Sequence, residues 1–279
     1  MDQPLPPGLY IVATPIGNLG DMTPRAADTL RRADYILAED KRVTAKLLAH
    51  IGANAPMTAY HDHSDDNLRL RIIIDLATKV VALVSDAGTP LISDPGYKLV
   101  RAARQAGRSI FTLPGACAAI AALTLAGLPT DRFLFVGFLP AKFKARRDAI
   151  SEIADIRATL VLYESGPRLA ECLKALHDIL GDRDGAVIRE ISKLHEETVS
   201  GTLSNLAERY EDAPPKGEIV IVVSPPLERQ EVNDSDLDAA LEAAMEKFSP
   251  SRAAADVAER LGVPRKRAYA RALALAGKD

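Results

Sequence analysis

No Gly-x-Gly-x-x-Gly follows the first strand-like segment, so the dinucleotide-binding fingerprint is absent. Only two of the 279 residues are cysteine, Cys117 and Cys172. Both sit in apolar helical patterns without metal-ligand spacing, which argues against a metal module and suits a reducing, cytoplasmic compartment. The longest apolar helical pattern, Ala116 to Ala126, is too short to cross a bilayer, so no membrane partner is expected. The short, acidic, proline-rich start from Met1 to Gly8 lacks signal-peptide architecture. An excess of one charge is also missing. With 35 Lys and Arg against 38 Asp and Glu the net charge is -3, and any nucleic-acid binding must use local patches. The balance, 47% hydrophobic and 26% charged, fits a soluble globular protein of one large or two medium domains.

What is present is organised around residues 80 to 96. Val80 to Val84 is apolar at every position, as in a strand covered on both faces. Apolarity stops at Ser85-Asp86, and a loop of Gly, Pro, Ser and Asp runs to Gly96 before a helix from Tyr97 to Gln105. Strand, polar loop and helix is where open α/β sheets place ligands. The same grammar recurs. Leu9 to Ala13 runs into Thr14-Pro15-Ile16-Gly17-Asn18-Leu19, and Thr23-Pro24 opens a helix. Tyr35 to Ala38 ends in Glu39-Asp40-Lys41-Arg42, and a helix is expected from Ala45 to His50. Met57 to Tyr60 leads into His61-Asp62-His63, which lacks a third ligand and reads as a polar cleft wall. Ser64 is expected to cap a helix reaching Lys79. Ile110 to Leu113 ends in Pro114-Gly115, then a small-residue helix begins. This alternation predicts a mostly parallel sheet.

After Pro129-Thr130-Asp131-Arg132 a second set of strands is expected at Phe133 to Val136, Thr159 to Tyr163, Ala186 to Ile188 and Gly217 to Val223. Between them, Leu139 to Arg147 carries four cations, Lys142, Lys144, Arg146 and Arg147, with one aromatic and no acid. It reads as a flexible basic loop able to contact phosphates. Residues 228 to 247 hold seven acids and two bases, whereas 250 to 279 hold seven bases and three acids. Helices at Arg252 to Leu261 and Arg265 to Ala276, joined at Gly262, match a helix-turn-helix pattern opened by Arg265, Lys266 and Arg267.

The motifs Thr14 to Leu19, Ala38-Glu39-Asp40, His61-Asp62-His63, Leu83 to Gly96, Leu113-Pro114-Gly115, Gly137 to Pro140, Tyr163-Glu164-Ser165 and Arg189-Glu190 together resemble the tetrapyrrole-methylase fold family. The likeness covers roughly residues 8 to 225 and is to the branch that methylates the ribose 2′-hydroxyl of a cytidine in small-subunit (16S) ribosomal RNA. Lys41, Val136 and Gly166-Pro167 depart from the branch's usual pattern and bear on substrate contacts. The resemblance implies a two-domain α/β fold, residues 1–116 and 117–226, with an active-site cleft between the domains, and a helical extension at 227–279. It implies a homodimer that takes S-adenosylmethionine as its only cofactor, without a metal. Cofactor contacts are expected from Ile16, Gly17, Asp86, Ala87, Gly88, Thr89, Ile92, Pro114, Cys117, Ala118, Tyr163, Glu164 and Ser192. The weakly acidic ribose hydroxyl calls for a base or orienting acceptor. Glu39 and Glu190 are the favoured groups, with Asp40 beside them. Arg42, Arg189 and Lys193 would hold phosphates, with the Lys142–Arg147 segment and the basic tail on the RNA backbone. Two other readings stay open: a methylase of corrin or sirohaem precursors, and a non-enzymatic nucleic-acid-binding protein built on the tail.

Overall fold

The computed structural model describes residues 4–226 and 233–277. The first residues of the proline-rich start, the beginning of the acidic stretch and the last two residues of the basic tail lie outside the described residues. The chain forms two compact units, residues 1–226 and 227–279.

The first unit begins with strict alternation: β1 (Gly8–Val12), α1 (Pro24–Arg32), β2 (Tyr35–Ala38), α2 (Lys41–Ile51), β3 (Met57–Ala59), α3 (Asp66–Asp75), β4 (Val80–Val84), α4 (Tyr97–Gln105) and β5 (Ile110–Leu113). The strands form one parallel sheet in the order β3-β2-β4-β1-β5. Every residue of β1 and β4 is buried, because each face is covered by its own cluster. Tyr10, Val12, Ala82 and Val84 pack on one side, and Leu9, Ile11, Val81 and Leu83 on the other. The chain leaves β1 toward one edge and β4 toward the other, so the order reverses between these two central strands. The carboxyl ends of β1 and β4 therefore frame a crevice.

The same unit continues with α5 (Ala118–Ala126), β6 (Phe133–Phe138), α6 (Phe143–Ile153), β7 (Thr159–Ser165), α7 (Leu169–Leu180), β8 (Asp184–Arg189), β9 (Glu197–Thr202), α8 (Leu203–Glu211) and β10 (Glu218–Val223). This second sheet has the order β6-β7-β10-β8-β9, and only β6 and β7 are parallel. The small residues of α5 do two things. Ala119, Ala122 and Ala126 pack on the sheet beside Val161, Ile188 and Val220, while the start of the helix stays open. The second unit holds α9 (Asp234–Met245), α10 (Pro250–Leu261) and α11 (Arg265–Ala276) around a core of Leu237, Leu241, Val257, Ala268 and Ala272.

Three expectations shift, and one strand was not expected. Asp65, not Ser64, caps α3, which ends at Asp75 instead of reaching Lys79; the Ser64 hydroxyl accepts from the His61 N–H at 2.8 Å. Asp40 caps α2, so the helix expected from Ala45 begins at Lys41 and takes in Arg42. The segment Leu139 to Arg147 is not a loop throughout, because α6 starts at Phe143. Strand β9 carries one apolar residue, Val199, and pairs only with β8, so it leaves no hydrophobic alternation to read.

Gly166 shows how closely the second sheet is packed. A Cβ there would lie 1.6 Å from the Pro215 carbonyl oxygen, a backbone atom. Gly166→Ala is expected to destabilise the first unit by about 3 kcal/mol, the upper end for overpacking, read as a lowered urea midpoint with an unchanged slope.

Candidate active site

The site is built from loops at the carboxyl ends of the first sheet. Thr14 N donates to Gly88 O at 2.8 Å and Gly88 N returns to Thr14 O at 3.0 Å, joining the loops after β1 and β4. Thr89 Oγ1 donates to Ala116 O at 2.9 Å, Asp62 accepts from Gly96 N at 3.0 Å, and Asp86 accepts from Asp40 N at 2.9 Å. The long loop after β4 is thus fastened to its four neighbours. Gly88 needs its φ of 76°, and a Cβ there would press on Ile16 Cγ2 at 3.2 Å. Among the described residues the only non-glycines with positive φ are Leu91, Ser93, Glu190 and Ser192, all on two loops that contribute to the lining of one cavity. Strain of this kind concentrates at functional sites.

A cavity of about 340 Å³ lies against this loop. Nine of the residues expected to touch a cofactor line it: Ile16, Ala87, Gly88, Thr89, Ile92, Cys117, Ala118, Tyr163 and Glu164. Four do not. Gly17 lies against the Lys193 side chain, Asp86 is turned to Asp40 N, Ser192 bonds Asp21, and Pro114 is outside the lining. Beyond the expected set the lining adds Asp94, which the sequence marks as a loop-shaping or hydroxyl-binding group, and Ile191, which adjoins Ser192; sequence reasoning missed Ser93, Phe138, Ser165 and the run Gly217 to Val220. Strand β10 runs antiparallel to β7, with Glu218 opposite Ser165, so its start lies beside the end of β7. A search confined to strand ends overlooks a strand start. The far wall is well ordered: Tyr163 OH accepts from Ala119 N at 3.2 Å and Phe138 meets the Tyr163 ring edgewise at 5.5 Å. The Glu164 side chain is almost fully buried, with Oε1 accepting from Ser165 N at 2.8 Å and Oε2 3.2 Å from Arg168 Nη2.

A second cavity of about 610 Å³ adjoins it, lined mostly by polar and ionisable residues: Glu39, His61, Asp62, His63, Ser64, Ser93, Asp94 and Pro95. Ser93 and Asp94 belong to both linings. Glu39 Oε2 is buried without a hydrogen-bond partner. Burial, then the neighbouring Asp86 charge, pushes the Glu39 carboxyl up. Burial, then Glu39, pushes Asp94 up to about 6. The other two expected catalytic carboxylates are already engaged. Asp40 caps α2 and holds Arg42 at 2.6 Å, and the Arg42 side chain lowers it to about 2, a poor base. Glu190 accepts from Lys193 Nζ at 2.9 Å and from Glu218 N at 3.0 Å, and the Lys193 hydrogen bond lowers its pKa.

The expected RNA contacts divide similarly. Arg146 is 3% exposed and bonds Pro140 O, Ala141 O and Glu171, so it is a structural residue and not a phosphate contact. Arg147 pairs with Asp178, Arg189 with Glu197, and Lys193 with Glu190 and Glu218. Arg267 pairs with Asp234 within the second unit. Lys142, Lys144, Arg265 and Lys266 are exposed, and Arg42 is exposed although paired with Asp40. Lys142 and Lys144 lie at the start of α6, where the helix dipole disfavours cations, so they do not serve the helix.

The folded state holds the Asp94 proton more tightly than the unfolded chain does. This group therefore lowers stability above its pKa of about 6, and the loss is relieved as pH falls through about 6 toward the unfolded value. Asp94→Asn is expected to stabilise the first unit by about 1–2 kcal/mol near pH 7.5, after allowance for solvent screening, and by almost nothing at about pH 4. Urea unfolding across that range measures the difference.

Residues 8–207 match the family described as Tetrapyrrole (Corrin/Porphyrin) Methylases, and residues 231–276 match the RsmI C-terminal HTH domain. The chain is 54% identical over 273 residues to ribosomal RNA small subunit methyltransferase I of Erythrobacter litoralis, covering 98% of this chain and 97% of that one. It is 47% identical over 268 residues to the protein of the same name from Xylella fastidiosa, covering 95% and 98%. Among solved structures, diphthine synthase aligns with a TM-score of 0.60 at 17% identity, covering 77% of this chain and 89% of that one. The cobalamin biosynthetic cobalt precorrin-4 methyltransferase aligns with a TM-score of 0.58 at 17% identity, covering 77% and 94%. With a parallel sheet feeding the cleft, relatives alike over nearly the whole length and a matching C-terminal domain, the chain belongs to the tetrapyrrole methylase family and, within it, to the ribosomal RNA small subunit methyltransferase I family.

Proposed function

We propose that the protein methylates the 2′-hydroxyl of a cytidine ribose in 16S ribosomal RNA, within the small subunit and as a homodimer, with S-adenosylmethionine as methyl donor. The observation that carries this reading is a pair of adjoining cavities that share Ser93 and Asp94 and differ in lining, one with aromatic rings and backbone and the other with mostly polar and ionisable side chains. The mainly apolar first cavity suits the nucleoside part of the donor, with the Phe138 and Tyr163 rings and the backbone at Ala87–Thr89 and Gly217–Val220 around it. The second cavity, with the Glu39, Asp62 and Asp94 carboxylates and His61, His63 and Ser64 on its wall and no Lys or Arg, suits the hydroxyls of a ribose and leaves the phosphates to lie outside it. The donor arrives activated as a sulfonium, and the chain's main contribution is orientation, worth roughly 7–11 kcal/mol at best. Of the three carboxylates expected to serve as base or orienter, Glu39 alone faces the acceptor cavity with an unpaired oxygen.

Calorimetry is expected to show S-adenosylmethionine binding, and labelled methyl to pass to undermethylated small ribosomal subunits but not to a tetrapyrrole precursor. Absence of donor binding, or transfer to the tetrapyrrole alone, would overturn the reading. Lys142→Glu with Lys144→Glu is expected to weaken RNA binding and to flatten the dependence of log affinity on log salt by about 0.7 for each phosphate no longer neutralised. Unchanged affinity would remove α6 from the RNA interface.

A further inference from the structure

Helix α4 begins at the wall of the acceptor cavity and carries charge that the protein itself does not use. Asp62 and Pro95 line that cavity, and Asp62 accepts from Gly96 N at 3.0 Å, so the residue before the helix is pinned to the wall. Between Asp94 and Asp131 the sequence has no acid, and its only cations there are Lys98, Arg101, Arg104 and Arg108. Arg108 donates to Ile73 O at 3.0 Å. The side chains of Lys98, Arg101 and Arg104 are exposed, and none makes a hydrogen bond or ion pair among the described residues. The acids of the neighbouring α3 are taken, Asp66 by Arg69 and Asp75 by Lys79. Tyr97, 61% exposed, shares one face of the helix with the three cations, opposite the buried Leu99 and Ala103. Like charges three residues apart repel, and Lys98 in the first turn opposes the helix dipole. The face costs α4 stability without serving its packing.

We propose that this face of α4 is a track for the single-stranded RNA beside the target nucleotide, with Tyr97 stacking on the adjoining base and Lys98, Arg101 and Arg104 holding the phosphates that follow. This rests on the methyltransferase reading above and extends it from the cavity to the strand. The acceptor cavity has no Lys or Arg on its wall, so a bound strand needs its cations at the rim. A ribose that enters a cavity has to leave the stack, which uncovers the base next to it. Tyr97 offers a free ring two residues beyond Pro95, where that base emerges. The three cations span about 9 Å along the helix, enough to follow a strand rather than touch one point. A ring beside a row of cations binds single strands without reading base identity. The track therefore supplies grip and direction, and the choice of nucleotide is left to the cavity.

The test is binding to undermethylated small subunits between about 50 and 200 mM KCl, with calorimetric binding of S-adenosylhomocysteine and sedimentation velocity as further readouts. The triple variant Lys98→Gln, Arg101→Gln, Arg104→Gln is expected to bind subunits more weakly. Its dependence of log affinity on log salt is expected to flatten by about 0.7 for each phosphate released, with S-adenosylhomocysteine binding and oligomeric state unchanged. Tyr97→Ala is expected to lose roughly 5-fold or more in affinity with the salt slope unaltered. Tyr97→Phe, which keeps the ring, is expected to bind within a few-fold of wild type. Unchanged affinity in the triple variant, or weaker binding with an unaltered slope, would overturn the track. Tyr97→Ala binding like wild type, or Tyr97→Phe losing as much as Tyr97→Ala, would overturn the stacking. A triple variant that sediments as a smaller species than wild type would make the face an interface with a second copy of the chain instead. Loss of S-adenosylhomocysteine binding would place α4 in the donor site and overturn the proposal as well. A wild type that binds subunits but transfers no methyl would fail the methyltransferase reading, a result distinct from each of these because the variants are read by binding alone.

Discussion

The reciprocal pair of backbone hydrogen bonds between Thr14 and Gly88 is the constraint on which the site depends. It locks the loop after β1 to the loop after β4, at the point where the sheet order reverses. A parallel sheet ends in unpaired strand ends whose loops would otherwise splay. Here the pairing continues one bridge beyond the sheet, and Asp62, Asp86 and Thr89 then tie the same loop to three others. The floor of the cleft is therefore rigid before any ligand arrives, and binding need not order it.

That rigidity allows an electrostatically costly arrangement. Glu39, Asp86 and Asp94 are brought together where burial disfavours the charge on each of Glu39 and Asp94. A mobile loop would relax by turning these carboxylates to water. The fastened loop cannot, and its left-handed residues at Leu91 and Ser93 mark where the backbone has yielded instead. The cost is local stability, and the result is carboxylates that hold a proton more tightly than an exposed carboxylate does.

The cations follow the opposite rule. Several of those that looked available for phosphate are consumed by the protein: Arg146 and Arg147 on α6, Arg189 on β8, Lys193 between Glu190 and Glu218, Arg267 against Asp234. Lys142 and Lys144 remain exposed on α6, and Arg265 and Lys266 on α11. With a net charge of -3, attraction for RNA has to come from such small patches.

Local chemistry was enough to read much of this from the sequence. Val80 to Val84 could only be a strand buried on both faces, because no position offers a polar side for water. Thr23-Pro24 had to open a helix, and the turn formers after β1 and β4 had to make loops. Nine cavity residues were expected from the resemblance to the family, while alternation and turn formers by themselves made legible the segments after β1, β4 and β5 on which seven of them lie. Strand direction in the second sheet was not legible, because antiparallel neighbours leave no such rule; only the fold puts Gly217 to Val220 beside Tyr163. Nor could the sequence say which charges are free. Asp40, Glu190 and Arg146 look as available in one dimension as Glu39, Asp94 and Lys142. Partners distant in sequence decided that Arg146 is buried and that Asp94 stands between two cavities, since burial and charge pairing depend on what folding brings near.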